Sequence, residues 1–273
     1  MSKTFAPTVP RDERGRLRFP PDQARRRAVF LPESFEHPAR AQLHMIEALV
    51  EYLTKPGDLL VDPFGGSGTL LVASLIGRRV GLIELSDEYY DLCVHNAEHM
   101  LARNPGMFKP SIQHGPCQDL IPMFQDVNTF IFSPPYAGAL VEGGTLSRVS
   151  RAQTNEQVRT YMDVTQVQGN LSPYNLGGFN NFMFAQEMKK IYRLCYQALV
   201  PGGFCVCIIK DRINAGKKDE LGYRAMQDMM AAGFELYDWQ RLFMHGSIYT
   251  QWHRSKGHEV IDEEHVIMCR KPL

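Results

Sequence analysis

Val61-Asp62-Pro63-Phe64-Gly65-Gly66-Ser67-Gly68-Thr69 decides the fold. The apolar run Leu59-Leu60-Val61 leads into it, and the helical pattern Leu70, Leu71, Val72, Ala73, Leu75, Ile76 leads out, closed by Gly77. That order reads as strand, glycine turn, helix. The glycines let the backbone approach a ligand where a side chain would collide. The helix start adds unpaired N–H groups and a partial positive charge. In an open parallel sheet such an element holds a nucleotide-like ligand at the carboxyl end of the strands. A phosphate loop needs Gly-Lys-Ser/Thr after its glycines, and Gly68-Thr69-Leu70 has no lysine. A dinucleotide turn needs a third glycine where Leu71 stands.

Two later stretches extend the pattern. Arg79-Val80-Gly81-Leu82-Ile83-Glu84 is a predicted second strand ending in an acid, and a carboxylate at that tip can accept ribose hydroxyls. Thr129-Phe130-Ile131-Phe132-Ser133-Pro134-Pro135-Tyr136 is a buried-type strand closed by two prolines. The prolines fix φ and remove backbone donors, so the Pro134 carbonyl is free to face a site. Ser133 supplies a second acceptor and Tyr136 an aromatic face.

Asp62-Pro63-Phe64-x-Gly66-x-Gly68-Thr69, followed one strand unit later by Ser133-Pro134-Pro135-Tyr136, resembles the DNA amino-methyltransferases, which modify cytosine N4 or adenine N6. The resemblance spans roughly residues 37–270. It implies S-adenosylmethionine as cofactor and DNA, single- or double-stranded, as substrate. It carries a cofactor role onto Asp62, Pro63, Phe64, Gly66, Gly68, Thr69 and Glu84. His37-Pro38, with the helix and Pro56-Gly57-Asp58 after it, resembles the segment that packs on the methionine end of the cofactor. The loop Gly115-Pro116-Cys117-Gln118-Asp119 stands where the family faces the adenine ring. Pro116 replaces the family's usual aspartate, which leaves Cys117 or Asp119 for that contact. Pro116-Cys117 also resembles the nucleophile of the cytosine C5-methyltransferases, but it follows the third strand rather than the fourth.

Ser133, Pro134, Pro135 and Tyr136 are the expected catalytic residues. An exocyclic amine has its lone pair delocalised into the ring. Two acceptors gripping the amine hydrogens free that pair for in-line attack on a methyl group, and no covalent enzyme intermediate is needed. The base must leave the duplex, and Tyr136 would stack on it. A serine at the first motif position points to cytosine N4. Adenine N6 on DNA and a base amine on RNA are the enzyme alternatives. A cofactor- or nucleic-acid-binding regulatory module is the reading from another class. The resemblance admits a homodimer and a cognate restriction enzyme as partners.

The alternation of strands and helices predicts an α/β, doubly wound, seven-stranded Rossmann-like sheet with an antiparallel last strand. The 273 residues suit one large domain, with 44% apolar and 22% charged residues. Residues 1–30 hold eight Lys/Arg against three Asp/Glu in a chain of zero net charge, so residues 1–35 read as a basic N-terminal arm and 36–273 as the methyltransferase domain. Two inserts, 137–181 and 243–259, read as a lid and a nucleic-acid-binding extension. Arg148, Arg151, Lys210, Arg212, Lys217, Trp252 and Arg254 are the candidate contacts. The six cysteines have neither Cys-x-x-Cys nor zinc spacing, so no metal and no disulfide is expected. No apolar run has membrane-spanning length and no signal segment is visible, so a cytoplasmic protein is expected.

Overall fold

The structure, a computed structural model, describes residues 4–35, 40–135, 174–214, 217–244 and 254–273. Strands β1 (Leu59–Asp62), β2 (Arg79–Glu84), β3 (Ser111–His114), β4 (Val127–Phe132) and β5 (Leu199–Ile209) run parallel. A small hairpin follows, β6 (Arg212–Asn214) with β7 (Lys217–Asp219). The sheet is completed by β8 (Glu235–Phe243) and β9 (Glu263–Arg270). The order is β3-β2-β1-β4-β5-β9-β8, with β9 antiparallel to both of its neighbours. This is the seven-stranded doubly wound sheet with an antiparallel last strand that the alternation predicted.

The strands bury both faces. Leu60, Ile131, Val206 and Ile208 point into one core, and Val61, Phe130, Phe132, Cys205 and Cys207 into the other. That period-two division is what places helices on both sides. Helices α1 (Gln23–Val29), α2 (Leu43–Leu53), α3 (Val72–Leu75) and α4 (Asp87–Arg103) bring residues to the first core. Helices α5 (Cys117–Leu120), α6 (Asn181–Ala198) and α7 (Leu221–Ala231) bring residues to the second. At Gly81 any Cβ would lie 2.4 Å from the Phe124 ring, so glycine is what lets Phe124 lie against β2. All six cysteines are free and buried.

Residues 4–35 pack on the domain and are not the separate basic arm that their charge suggests. Phe5, Leu17, Phe19, Val29 and Phe30 are buried in the first core. Leu17 donates its N–H to the Arg241 carbonyl at 2.8 Å and accepts from Phe243 at 2.9 Å, beside β8. The segment thereby covers the outer edge of the sheet, which would otherwise present unpaired backbone groups. Arg16 is buried between Asp12 and Asp262, at 2.7 Å from each. The arginines occur among apolar anchors with no regular spacing, so the pattern carried no periodic signal.

The element after the glycine turn is shorter than expected: a 3₁₀ turn, Thr69–Leu71, precedes the four residues of α3. Residues 136–173, with most of the expected 137–181 lid, and 245–253, part of the expected 243–259 extension, lie outside the described residues; the last residues of the lid stretch form a 3₁₀ turn, Leu176–Gly178, and the start of α6. Among the described residues no helix is long and apolar enough to cross a membrane.

Candidate active site

Parallel pairing brings the chemistry-bearing tips together. Val61 pairs with Phe130 and Asp62 with Leu82, so the turn after β1 lies between the tips of β2 and β4. Ser133, Pro134 and Pro135 leave β4 there, with Pro134 buried and the other two half-buried. The rings of Phe64 and Phe132 meet edge to face at 5.6 Å. The cofactor-type loop and the Ser-Pro-Pro stretch thus share one apolar contact.

The loop is held from both sides. The Gly65 N–H donates to the Ile83 carbonyl at 2.8 Å, and a Cβ at Gly65 would sit 3.3 Å from that oxygen. Gly68 has φ +78°, where a Cβ would lie 2.9 Å from Leu71 Cδ1 and 3.4 Å from Cys93 Sγ. Glu84 accepts from Gly66 N–H at 2.6 Å, Leu85 N–H at 2.8 Å and Ser86 N–H at 2.9 Å. Cys93 on α4 donates to the Gly66 carbonyl at 3.2 Å. Glu84 therefore ties β2, the glycine loop and the start of α4 together, a role that the sequence did not assign to it. A carboxylate has about four acceptor sites, so three backbone bonds leave capacity for a hydroxyl.

Asp62 accepts from Phe64 N–H at 2.8 Å. Burial pushes its carboxyl up to about 7, against that bond, and the Glu84 charge adds to the push. Burial also raises Glu84, against its three N–H donors. Two half-buried carboxyls at adjacent strand tips form a site suited to a cationic or polyhydroxyl ligand.

The remaining expected residues divide. Pro63 and Phe64 sit in the loop. Thr69 Oγ1 lies 3.4 Å from Nη1 of Arg26, a buried residue that also bonds Asp22 and the Ala41 carbonyl. Sequence reasoning missed Arg26 because it stands 43 positions from Thr69. Cys117 is buried with its thiol pushed up by that burial, which disfavours a thiolate nucleophile. Asp119 is exposed. His37, Tyr136, Arg148, Arg151 and Trp252 lie outside the described residues.

Of the candidate phosphate contacts, Lys217 is exposed. Arg212 donates to Asp219 at 3.0 Å and Arg254 to Asp262 at 2.9 Å. Lys210, at the end of β5, is lowered by burial, with Glu264 and Asp262 opposing. A recess of about 60 Å³ adjoins Pro134 between α6 and α7, walled by Phe184, Met188, Tyr192 and Ile209. A larger groove of about 410 Å³ opens at the starts of β2 and β3, beside Arg79 and Lys109. It is at the opposite end of the strands from the carboxylates and takes no part in the site. Among the described residues no His/Cys/Asp/Glu cluster could hold a metal ion.

Comparison with known families reaches the glycine loop and Glu84 but stops before Ser133. The family described as DNA methylase (N6_N4_Mtase) matches residues 10–95, from the N-terminal segment through most of α4. Over 55 residues the chain is 40% identical to YubD of Escherichia coli (strain K12) and, again at 40%, to the type II methyltransferase M2.DpnII of Streptococcus pneumoniae. Those 55 residues are 20% of this chain and only 24% and 20% of the two relatives. Among solved structures, TrmN from Thermus thermophilus superposes with TM-score 0.52 at 14% identity, over 87% of this chain and 52% of its own. A SAM-dependent methyltransferase from Methanosarcina mazei superposes with TM-score 0.50 at 12% identity, over 82% and 97%. At such identities these two establish the fold.

Proposed function

We propose, for a chain whose residues 10–95 carry the DNA methylase family's sequence, that it is an S-adenosylmethionine-dependent methyltransferase acting on the N4 amine of cytosine in DNA. One observation carries the reading: the Gly65–Gly68 loop and the Ser133-Pro134-Pro135 stretch, 65 positions apart, lie at adjacent parallel strand tips and touch through Phe64 and Phe132.

The residues present fit the cofactor. Cβ atoms at Gly65 and Gly68 would run into the Ile83 carbonyl, Leu71 and Cys93, so glycine there lets the loop lie tight against β2 and α4. Asp62 and Glu84 supply the acceptors that an ammonium group and ribose hydroxyls require. When bound, S-adenosylmethionine supplies an electrophilic methyl group on sulfonium sulfur. Asp62, once ionised, holds positive charge, and Glu84 orients the sugar. Ser133 Oγ and the Pro134 carbonyl accept the two amine hydrogens of the base, which directs the nitrogen lone pair away from the ring. Phe64 and Phe132 make the apolar contact between the two motifs. The serine at position 133 favours cytosine over adenine.

The test is nucleoside mass spectrometry on DNA and RNA from a methylation-free host expressing the protein. N4-methylcytosine in DNA, absent with Ser133→Ala, is the expected result. Ser133→Ala should lower turnover at least 100-fold while cofactor affinity stays within threefold, because removing a preorganised hydrogen-bond partner acts on the chemical step at about that magnitude. N6-methyladenine, or a signal confined to RNA, would replace the substrate assignment. Cofactor binding with no new base would favour a regulatory module.

A further inference from the structure

The carbonyl side of the glycine loop meets a buried amide that the proposed chemistry does not use. Asn96 on α4 is 0% exposed. Its Nδ2 donates to the Ser67 carbonyl at 3.2 Å and to Ser34 Oγ at 2.8 Å. Its Oδ1 accepts from Leu31 N–H at 3.0 Å and lies 3.2 Å from Ser34 Oγ, which can donate to it. One carboxamide therefore joins three pieces of chain: the loop, the helix, and the Leu31–Ser34 turn of the N-terminal segment. Cys93, three residues earlier on α4, bonds the preceding loop carbonyl, Gly66. Positions three apart share a helix face, so α4 grips two consecutive carbonyls of the loop from one face.

A surface residue in this role would compete with water. Asn96 does not, and Ser34 and Ser67 are themselves only 4% and 5% exposed. If any one partner is lost, a buried polar group is left unsatisfied, so the arrangement acts as a unit.

We infer that Asn96 is a positioning residue that fastens the N-terminal segment to the carbonyl side of the glycine loop and thereby sets the loop's readiness for its ligand. The ligand named here rests on the function proposed above. The fastening itself is a property of the ligand-free chain. Gly66 and Gly68 both have positive φ, +52° and +78°, and the carbonyl grips hold that geometry before a ligand arrives. Binding to a preformed loop forgoes the entropy of ordering it.

The inference is tested in the full-length protein with Asn96→Asp and Ser34→Ala. The first keeps the acceptors for Leu31 N–H and Ser34 Oγ and removes the donor to the Ser67 carbonyl. The second removes one partner of the amide and leaves Ser67 engaged, so it serves if the buried aspartate prevents folding. Three readouts are taken: hydrogen exchange of loop amides without ligand, calorimetric binding of S-adenosylhomocysteine, and steady-state kinetics. Asn96→Asp should speed exchange at Gly68 and Leu71 about fivefold or more and weaken binding about five- to tenfold, the size of one or two net hydrogen bonds. Ser34→Ala should do the same to about half that extent in logarithm. The KM for cofactor should rise in step while kcat at saturation stays within twofold, a split that general destabilisation does not produce. Met100→Ala, buried on α4 but outside this network, should lower the melting midpoint and leave affinity unchanged. Unaltered loop exchange and binding within twofold of wild type in both variants would overturn the inference. Failure of the wild-type protein to bind S-adenosylhomocysteine would instead overturn the cofactor assignment, and loop exchange alone would then decide whether the fastening holds.

Discussion

Replacing Asp62 by Asn isolates the electrostatic cost of the crevice. The carboxyl rises from its usual 3.8 to about 7 because it is buried, with Glu84 beside it. A group that holds its proton more tightly folded than unfolded stabilises the fold at low pH. That contribution is complete below the unfolded value, falls as pH climbs from 3.8 toward 7, and is gone above. At about 1.4 kcal/mol per pH unit, the whole loss is about 4 kcal/mol, of which about 2.5 falls between pH 5 and pH 8. Asp62 is only half-buried, and water reduces the figure to about 1–2.5 kcal/mol. Asparagine mimics the protonated acid and keeps the acceptor for Phe64 N–H. Glu84 is present in both proteins and its own loss largely cancels. Urea unfolding at pH 5 and pH 8 should therefore show the variant gaining about 1–2.5 kcal/mol on wild type as pH rises. A difference between the two proteins that does not change with pH would refute the argument, and with it the idea that the crevice is primed for a cation.

Three other substitutions test the frame. Gly68→Ala places a Cβ 2.9 Å from Leu71 at φ +78°, and should lower unfolding stability by about 2–4 kcal/mol in chemical denaturation, from left-handed backbone strain and overpacking together. Leu17→Ala removes a fully buried side chain from the N-terminal segment; the expected loss is about 3 kcal/mol, whereas a solvated arm would give none. Thr129→Val exchanges a buried hydroxyl without a protein partner for an isosteric methyl, and the melting midpoint should rise by an amount corresponding to about 1 kcal/mol.

What the sequence made legible is local. Leu59 to Thr69, Arg79 to Glu84 and Thr129 to Pro135 each announce a strand and its tip within about ten residues, because alternating burial, a glycine turn and a proline stop are short-range signals. Parallel pairing then fixes the juxtaposition of the tips, so Asp62, Glu84 and Ser133 could be assigned to one end of the sheet before any coordinates. The fasteners were not legible. Asn96 reads as a polar residue inside an amphipathic helix, and its meaning depends on Leu31, Ser34 and Ser67 at distances of 29 to 65 positions. Arg26 reads as one of three consecutive arginines, yet it alone of the three is buried, packed against Thr69 and Asp22. Net charge misled for the same reason: it counts arginines without their distant acceptors.

Those acceptors also bear on how DNA could be engaged. Arg254 and Arg16 share Asp262, and Arg16 also holds Asp12 within the N-terminal segment itself. A phosphate drawn to Arg254 would compete with Asp262. Releasing that carboxylate leaves it wholly to Arg16, where the pairing is buried and the Coulomb interaction is less screened than at the exposed Arg254. A phosphate at Arg254 would therefore leave the N-terminal segment seated through the Arg16–Asp262 pair. The segment that Asn96 fastens to the glycine loop is the same one. Arg212 is paired differently: Asp219, 3.0 Å from it, also holds Arg224 at 2.9 Å.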